Sequence, residues 1–282
     1  MKFPFRSKRS AFLAIPFLFG PLARAQRVDS IRDSYIIALP SDAQRTLPYI
    51  PISPGSSTGT PTAYGADWGD VFVGAGFQAR MRYVSDTLPL RRKADGAADI
   101  GFGLGNSESA IGIEVNFTSF STVRSGFFHH STLSFKVHRD LPWNMAIAYG
   151  WEDAIRTKGT DGWTSMYGVL TGAIPLRSDP YAAFSTLTVS AGAGNGRFQR
   201  EKAFYARENH LNPFGSVGLY VVPEISLIAD WTGQDLMLGA SLVPFPRIPF
   251  FITPSFADVT GSAGDGARFV IGVGLDFNFA KH

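Results

Sequence analysis

The chain of 282 residues contains no cysteine, which excludes a disulfide staple as a source of stability. It also has no apolar run of the about 20 residues that a membrane-spanning helix needs; the longest, Ala11–Phe19, is far too short. Charged residues make up only 17% of the chain. The apparent basic balance does not survive inspection: Lys2, Arg6, Lys8, Arg9 and Arg24 all precede the small-x-small site Ala23-Arg24-Ala25, in a stretch with no acidic residue. A basic start, a short apolar run and such a site predict a bacterial secretory signal peptide over residues 1–25. Its removal takes five of the 26 basic residues and leaves 21 against 23 acidic, a mature charge near −2. The high sequence pI therefore gives no reason to expect a nucleic-acid partner.

Glycine and aromatic residues are abundant instead: 30 glycines, and 13% Phe, Trp and Tyr. Mean hydropathy is +0.04, high for a soluble β protein and low for a helical membrane protein. A membrane β-barrel falls between the two, because only alternate residues of each strand face lipid. A secreted β-sandwich would share much of this composition, and alternation is what separates the two. From Ala267 to Phe279 it is almost unbroken: Phe269, Ile271, Val273, Leu275, Phe277 and Phe279 face one way, and Arg268, Gly272, Gly274, Asp276 and Asn278 the other, with Val270 the exception.

Twelve strand-like segments follow from residue 70 onward, at about 71–83, 97–104, 110–119, 131–138, 143–151, 165–174, 183–194, 212–222, 224–231, 235–243, 249–256 and 267–279, with ten to fourteen open. The connections between them alternate long and short except at the ninth. That is the pattern of an antiparallel up-and-down transmembrane barrel with both ends on the periplasmic side. Prolines 142, 175, 180, 223, 244, 246 and 249 fall in the shorter set, where a missing amide proton costs nothing. Trp143 and Trp151, at opposite ends of one segment, are placed to mark the two interfaces. The predicted organisation is a signal peptide (1–25), a Pro/Ser/Gly-rich periplasmic segment or plug (26–69) and a barrel (70–279). The second part is marked by Pro40, Pro48, Pro51, Pro54 and Pro61 and by the low-complexity run Pro54–Pro61.

With apolar side chains toward lipid, the lumen is predicted to be lined by Gln78, Arg80, Arg82, Glu114, Asn116, Lys136, His138, Asp230, Arg268, Asp276 and Asn278, with Asn144, Thr188, Ser190, Ser216 and Ser241. Facing charges of both signs suit a solute-selecting transverse field, with Arg80, Arg82 and Lys136 attracting anions and Glu114, Asp230 and Asp276 cations. The same charges suit a salt-bridge network that closes the barrel. Glycines 74, 76, 101, 103, 112, 150, 168, 172, 192, 218, 239, 272 and 274 are assigned to the inward phase, leaving a wall with little to fill it. Either a cavity results or residues 26–69 occupy it, unless these glycines serve only strand curvature.

Enzymatic chemistry has one candidate, His129-His130-Ser131 at the end of an outer loop, where barrel hydrolases of the outer membrane keep a Ser/His or Asp/His site, so the enzyme reading is an acyl hydrolase or a protease. No third residue is fixed by spacing. Asp265 between Gly264 and Gly266 reads as a tight turn rather than a calcium site, and no metal or cofactor is implied. Arg91-Arg92-Lys93 is expected in an outer loop, as solvated charge or as a contact for lipopolysaccharide.

The stretches Pro61–Phe77, Phe120–Gly126, Ser226–Asp235 and Gly264–Phe269 resemble a family of uncharacterised cyanobacterial-type proteins, presumed outer-membrane barrels, distantly suggestive of exopolysaccharide-linked barrels. The resemblance spans most of residues 61–279 and implies no activity. One departure from the outer-membrane pattern is that Phe279 is followed by Ala280, Lys281 and His282, whereas insertion machinery commonly reads a terminal aromatic. The sequence thus leads to an outer-membrane barrel, in contact with lipid, lipopolysaccharide and the insertion machinery. Three readings compete: porin-like passage or export of a small polar solute or saccharide, a structural or anchoring barrel with a closed lumen, and a loop-sited hydrolase.

Overall fold

In the computed structural model the described residues are 53–82, 88–120, 122, 130–157, 164–206, 208–245 and 248–280. The expected signal peptide and His129 lie outside them. Twelve strands alternate along the chain: β1 (Asp70–Gln78), β2 (Asp95–Gly105), β3 (Gly112–Phe120), β4 (His130–Leu141), β5 (Met145–Arg156), β6 (Ser165–Pro175), β7 (Thr186–Gly194), β8 (Asn212–Val222), β9 (Ile225–Trp231), β10 (Leu236–Leu242), β11 (Phe250–Ala257) and β12 (Arg268–Asn278). Each pairs antiparallel with its sequence neighbours, and β1 closes on β12 in a continuous register from Asp70 opposite Asn278 to Gln78 opposite Val270. The predicted all-β, twelve-stranded antiparallel barrel is the observed one.

Strand length and surface explain each other. The strands run 7 to 12 residues, about the length that crosses a bilayer's hydrocarbon at a tilt. On β5, Ile147 and Tyr149 are 50% and 54% exposed, while Ala146, Ala148 and Gly150 between them are buried. Phe102, Val137, Leu227, Leu238 and Phe277 repeat this outward pattern on other strands. So large a contiguous apolar surface would be an aggregation hazard in water and is at home against lipid. The interior is correspondingly polar: Thr171, Ser226, Asp230 and Ser241 have no exposure at all. An apolar exterior over a polar interior, in a closed antiparallel barrel with an even strand number, is the architecture of an outer-membrane barrel. Among the described residues no helix is long and apolar enough to cross a membrane; the crossing elements are strands.

Four expectations are corrected. Trp143 lies in the connection 142–144 rather than in a strand, because Trp143 and Asn144 take left-handed φ values of 65° and 56° to turn the chain. Gly168 and Gly172 face outward, since Tyr167, Val169 and Thr171 are the buried phase of β6 and Met166 and Leu170 the exposed one. Arg80 and Arg82 follow the end of β1 instead of lying within it. Loop lengths also alternate less regularly than expected, with 176–185 longer than 157–164. Short helices occupy two of the longer connections, α1 (Leu90–Lys93) and α2 (Glu201–Ala206), the latter preceded by a 3₁₀ turn at Gly196–Phe198.

Candidate functional site: an internal loop and the lumen around it

Residues 53–68 form a loop inside the barrel. They enter at the rim that carries Asp70 and Asn278, climb to the far rim and return to begin β1. The ascending limb is held by side chains of β8, β9 and β10. Tyr220 Oη donates to the Pro54 carbonyl at 3.0 Å, the Gly55 amide donates to Ser241 Oγ at 2.9 Å, and Ser226 Oγ donates to the Gly55 carbonyl. Small inward residues leave the space: a Cβ on Gly218 would stand 2.9 Å from Ser56 Cα.

The tip, Ser57–Thr60, closes on one carboxylate. Asp230 Oδ2 accepts the Ser57 hydroxyl at 2.7 Å and the amides of Thr58, Gly59 and Thr60 at 2.9, 2.9 and 3.1 Å. Three successive amides turned toward one oxygen form an anion-binding concavity, here filled by the protein's own Asp230. From the far rim Arg197 donates Nη1 to the Gly59 carbonyl at 2.7 Å and pairs with Glu152.

The descending limb is gripped by β3, β4 and β6. The Ala63 amide donates to Thr171 Oγ1 at 2.8 Å, and Lys136 Nζ donates to the Tyr64 carbonyl at 2.9 Å. Glu114 accepts the Ala66 amide at 3.1 Å and pairs with Lys136 at 2.9 Å. His138 Nε2 lies 3.0 Å from the Ala66 carbonyl; that oxygen can only accept, so Nε2 carries the proton. Asp67 then accepts the Ser107 amide and hydroxyl in the turn between β2 and β3. Glu114, Lys136, His138 and Asp230, expected as lumen-lining residues, therefore face inward and spend their polarity on the loop backbone.

At the far rim Asp235, 1% exposed, accepts Arg82 Nη2 at 3.1 Å and Arg268 Nη2 at 3.2 Å, and the Thr232 hydroxyl at 2.6 Å. Arg80 reaches the carbonyls of Asp265, Gly266 and Ala267, tying the last connection to the end of β1. At the opposite rim Asn278 Nδ2 donates to Asp70 at 2.6 Å, and Asp276 lies opposite the inward Phe72. Asn116 faces inward with Oδ1 unpartnered, and Gln78 is the last inward residue of β1. The lumen residues thus divide into two rims and a loop-binding wall.

Aromatic rings take up more of the interior than alternation predicts. Phe198 stacks on Phe214 at 4.3 Å, and Tyr167 meets both edge-on at 5.7 and 6.0 Å. These rings lie over inward glycines: a Cβ would fall 2.2 Å from the Tyr167 ring at Gly150 and 2.4 Å from Phe214 at Gly192. Phe72 covers Gly101 and Phe251 covers Gly274 in the same way. Most inward glycines are therefore sockets for a ring or for the loop backbone. Gly76 and Gly272 differ, since among the described residues a Cβ at either would meet nothing within 4 Å. They lie opposite each other on β1 and β12 and mark open space beside the loop.

Sequence reasoning missed Asp99, Arg197, Asp235 and the inward Tyr167 and Phe214. Asp99 was available from alternation, since its neighbour Ile100 is plainly outward. Of the proposed hydrolase residues, Ser131 is buried with its hydroxyl unpartnered, and His130 Nδ1 is likewise unpartnered, so these two form no dyad. Asp265 stands 3.8 Å from Arg80, and no group of three or more acidic or histidine residues that could hold a metal occurs among the described residues.

No family model and no curated protein matches the sequence, so the resemblance to the cyanobacterial-type family gains no support. Among solved structures, the crystal structure of the Acinetobacter baumannii outer membrane protein Omp33 is similar, with a TM-score of 0.39 and 9% identity over 74% of this chain and 98% of that one.

Proposed function

We propose that this protein is a barrel of the bacterial outer membrane that lets small polar solutes diffuse through a passage narrowed, but not filled, by residues 53–68. The observation that carries this reading is the space in front of Gly76 and Gly272, which face each other on β1 and β12 and meet no described residue. A barrel of this strand number encloses more room than its own side chains fill, and the unobstructed Gly76 and Gly272 support a remainder that the loop and the aromatic rings do not take up. Solute discrimination would then follow from the width and charge of what remains. Contact with lipopolysaccharide through the connection holding Arg92 and Lys93 belongs to the same proposal.

The competing reading is a closed structural barrel, favoured by the dense hydrogen bonding of the loop. Planar-bilayer conductance separates them. The parent protein should conduct, Gly76→Trp should lower that conductance, and Gly168→Trp should leave it unchanged. Gly168 is as unobstructed as Gly76 but faces outward, so the pair isolates the lumen from general effects of tryptophan. A folded parent that conducts nothing would establish the closed barrel instead.

A further inference from the structure

We infer that the passage selects cations and that Asp99 is the residue that sets this preference, an inference that rests on the passage reading above. The inward positive charges are already engaged. Lys136 is bound to Glu114 and to the Tyr64 carbonyl. Arg82 and Arg268 share Asp235, with Asp258 as a further carboxylate acting on Arg268. Arg80 is held by three carbonyls and Asp265, and Arg197 by Glu152. An anion crossing the lumen would find Lys136, Arg80, Arg82 and Arg197 bound to neighbours that it would have to displace, and Arg268, whose Nε and Nη1 are unpartnered, buried beside Asp235 at the far rim.

Asp99 is in the opposite situation. It lies on the inward face of β2, in register with Gly74 of β1, and its carboxylate leans over that glycine, with Oδ1 2.6 Å from where a Cβ would stand. Among the described residues it has no hydrogen bond and no ion pair. Its charged neighbour is Glu114, of the same sign and already committed to Lys136. One inward position further along β1 is Gly76, which faces Ala97 on one side and Gly272 on the other, so the wall beside Asp99 is almost bare of side chains. That bare wall is where the open space lies. An unpaired, half-buried carboxylate at the edge of a narrow path, with low-dielectric walls, concentrates cations and repels anions along it.

The test is the reversal potential of the full-length mature protein in planar bilayers under a potassium chloride gradient. The parent is expected to favour potassium over chloride by about fivefold or more, the scale of one unpaired charge within several ångströms of the path in a partly screened setting. Asp99→Asn, close to isosteric, should bring the ratio toward one. Asp99→Glu should retain it, and Asp99→Lys should invert it. A purely structural role for Asp99 would alter conductance or folding without moving the reversal potential. A conducting parent with no cation preference, or an Asp99→Asn variant that keeps the parent's ratio, would overturn the inference and leave the passage standing. Absence of conductance in every folded variant would overturn the passage itself, and the inference with it.

Discussion

Replacing Asp230 by alanine should loosen the internal loop while leaving the barrel wall in place. In the folded protein one carboxylate oxygen receives the Ser57 hydroxyl and the amides of Thr58, Gly59 and Thr60, all within 3.1 Å, and the residue has no solvent exposure. Truncation orphans three amide groups at once. A buried unmet donor costs about 1–3 kcal/mol, so a dry site would lose about 3–9 kcal/mol. Water admitted from the lumen would recover part of that, leaving about 4 kcal/mol. At 1.4 kcal/mol per tenfold, the balance between seated and released tip should shift by about a thousandfold. Single-channel recording should show larger and more variable openings in Asp230→Ala than in the parent. Because the chain has no cysteine, a lock can be added cleanly: a Cβ on Gly55 would stand 3.6 Å from Ser241 Cβ, within disulfide range. In the background of Asp230→Ala, the oxidised Gly55→Cys, Ser241→Cys pair should restore quiet traces, and a reductant should abolish that. If Asp230→Ala behaves as the parent does before and after locking, the carboxylate does not hold the tip and the energetic reasoning is wrong.

Two further outcomes follow from the loop's other anchors. Glu114→Gln strips Lys136 of its carboxylate in an interior setting, so the barrel's thermal unfolding should shift downward by the equivalent of about 3–5 kcal/mol; pairing it with Lys136→Gln should recover much of the loss. Arg197→Ala removes the far-rim bonds to Gly59 and Glu152, but this guanidinium is partly exposed. Its effect on channel noise should therefore be much smaller than that of Asp230→Ala, about 1 kcal/mol in the seated-to-released balance, and should shrink further at high salt.

Strand number and wall were legible because each strand had to satisfy two solvents. On β3, Ile113 and Val115 opposite Gly112 and Glu114 leave one arrangement, and the predicted and observed boundaries agree within about two residues. Where both phases are apolar, as in Met166-Tyr167-Gly168-Val169-Leu170, periodicity carries no information on facing, and Gly168 and Gly172 were placed on the wrong side. The loop was illegible for a different reason. Pro54–Pro61 has no apolar pattern of its own, so composition reads it as linker; what orders it is Asp230, some 170 positions away in the chain. Ser226 and Ser241 are equally remote. Arg80 and Arg82 were legible as inward-phase residues, but the end of β1 at Gln78 turns them to the rim.

Trp68 and Phe279 meet edge-on at 5.9 Å, the Trp68 amide donates to the Gly105 carbonyl, and the Phe279 amide donates to that of Gly69. The loop therefore ends where the first and last strands are sewn together. Residues 53–68 enter and leave the barrel by the rim where β1 begins, so the loop is a hairpin hung from the seam between β1 and β12, with its tip fastened to Asp230 at the other end of the lumen. Whatever loosens the closure of the wall therefore also loosens the footing of the loop, and the two stand or fall together.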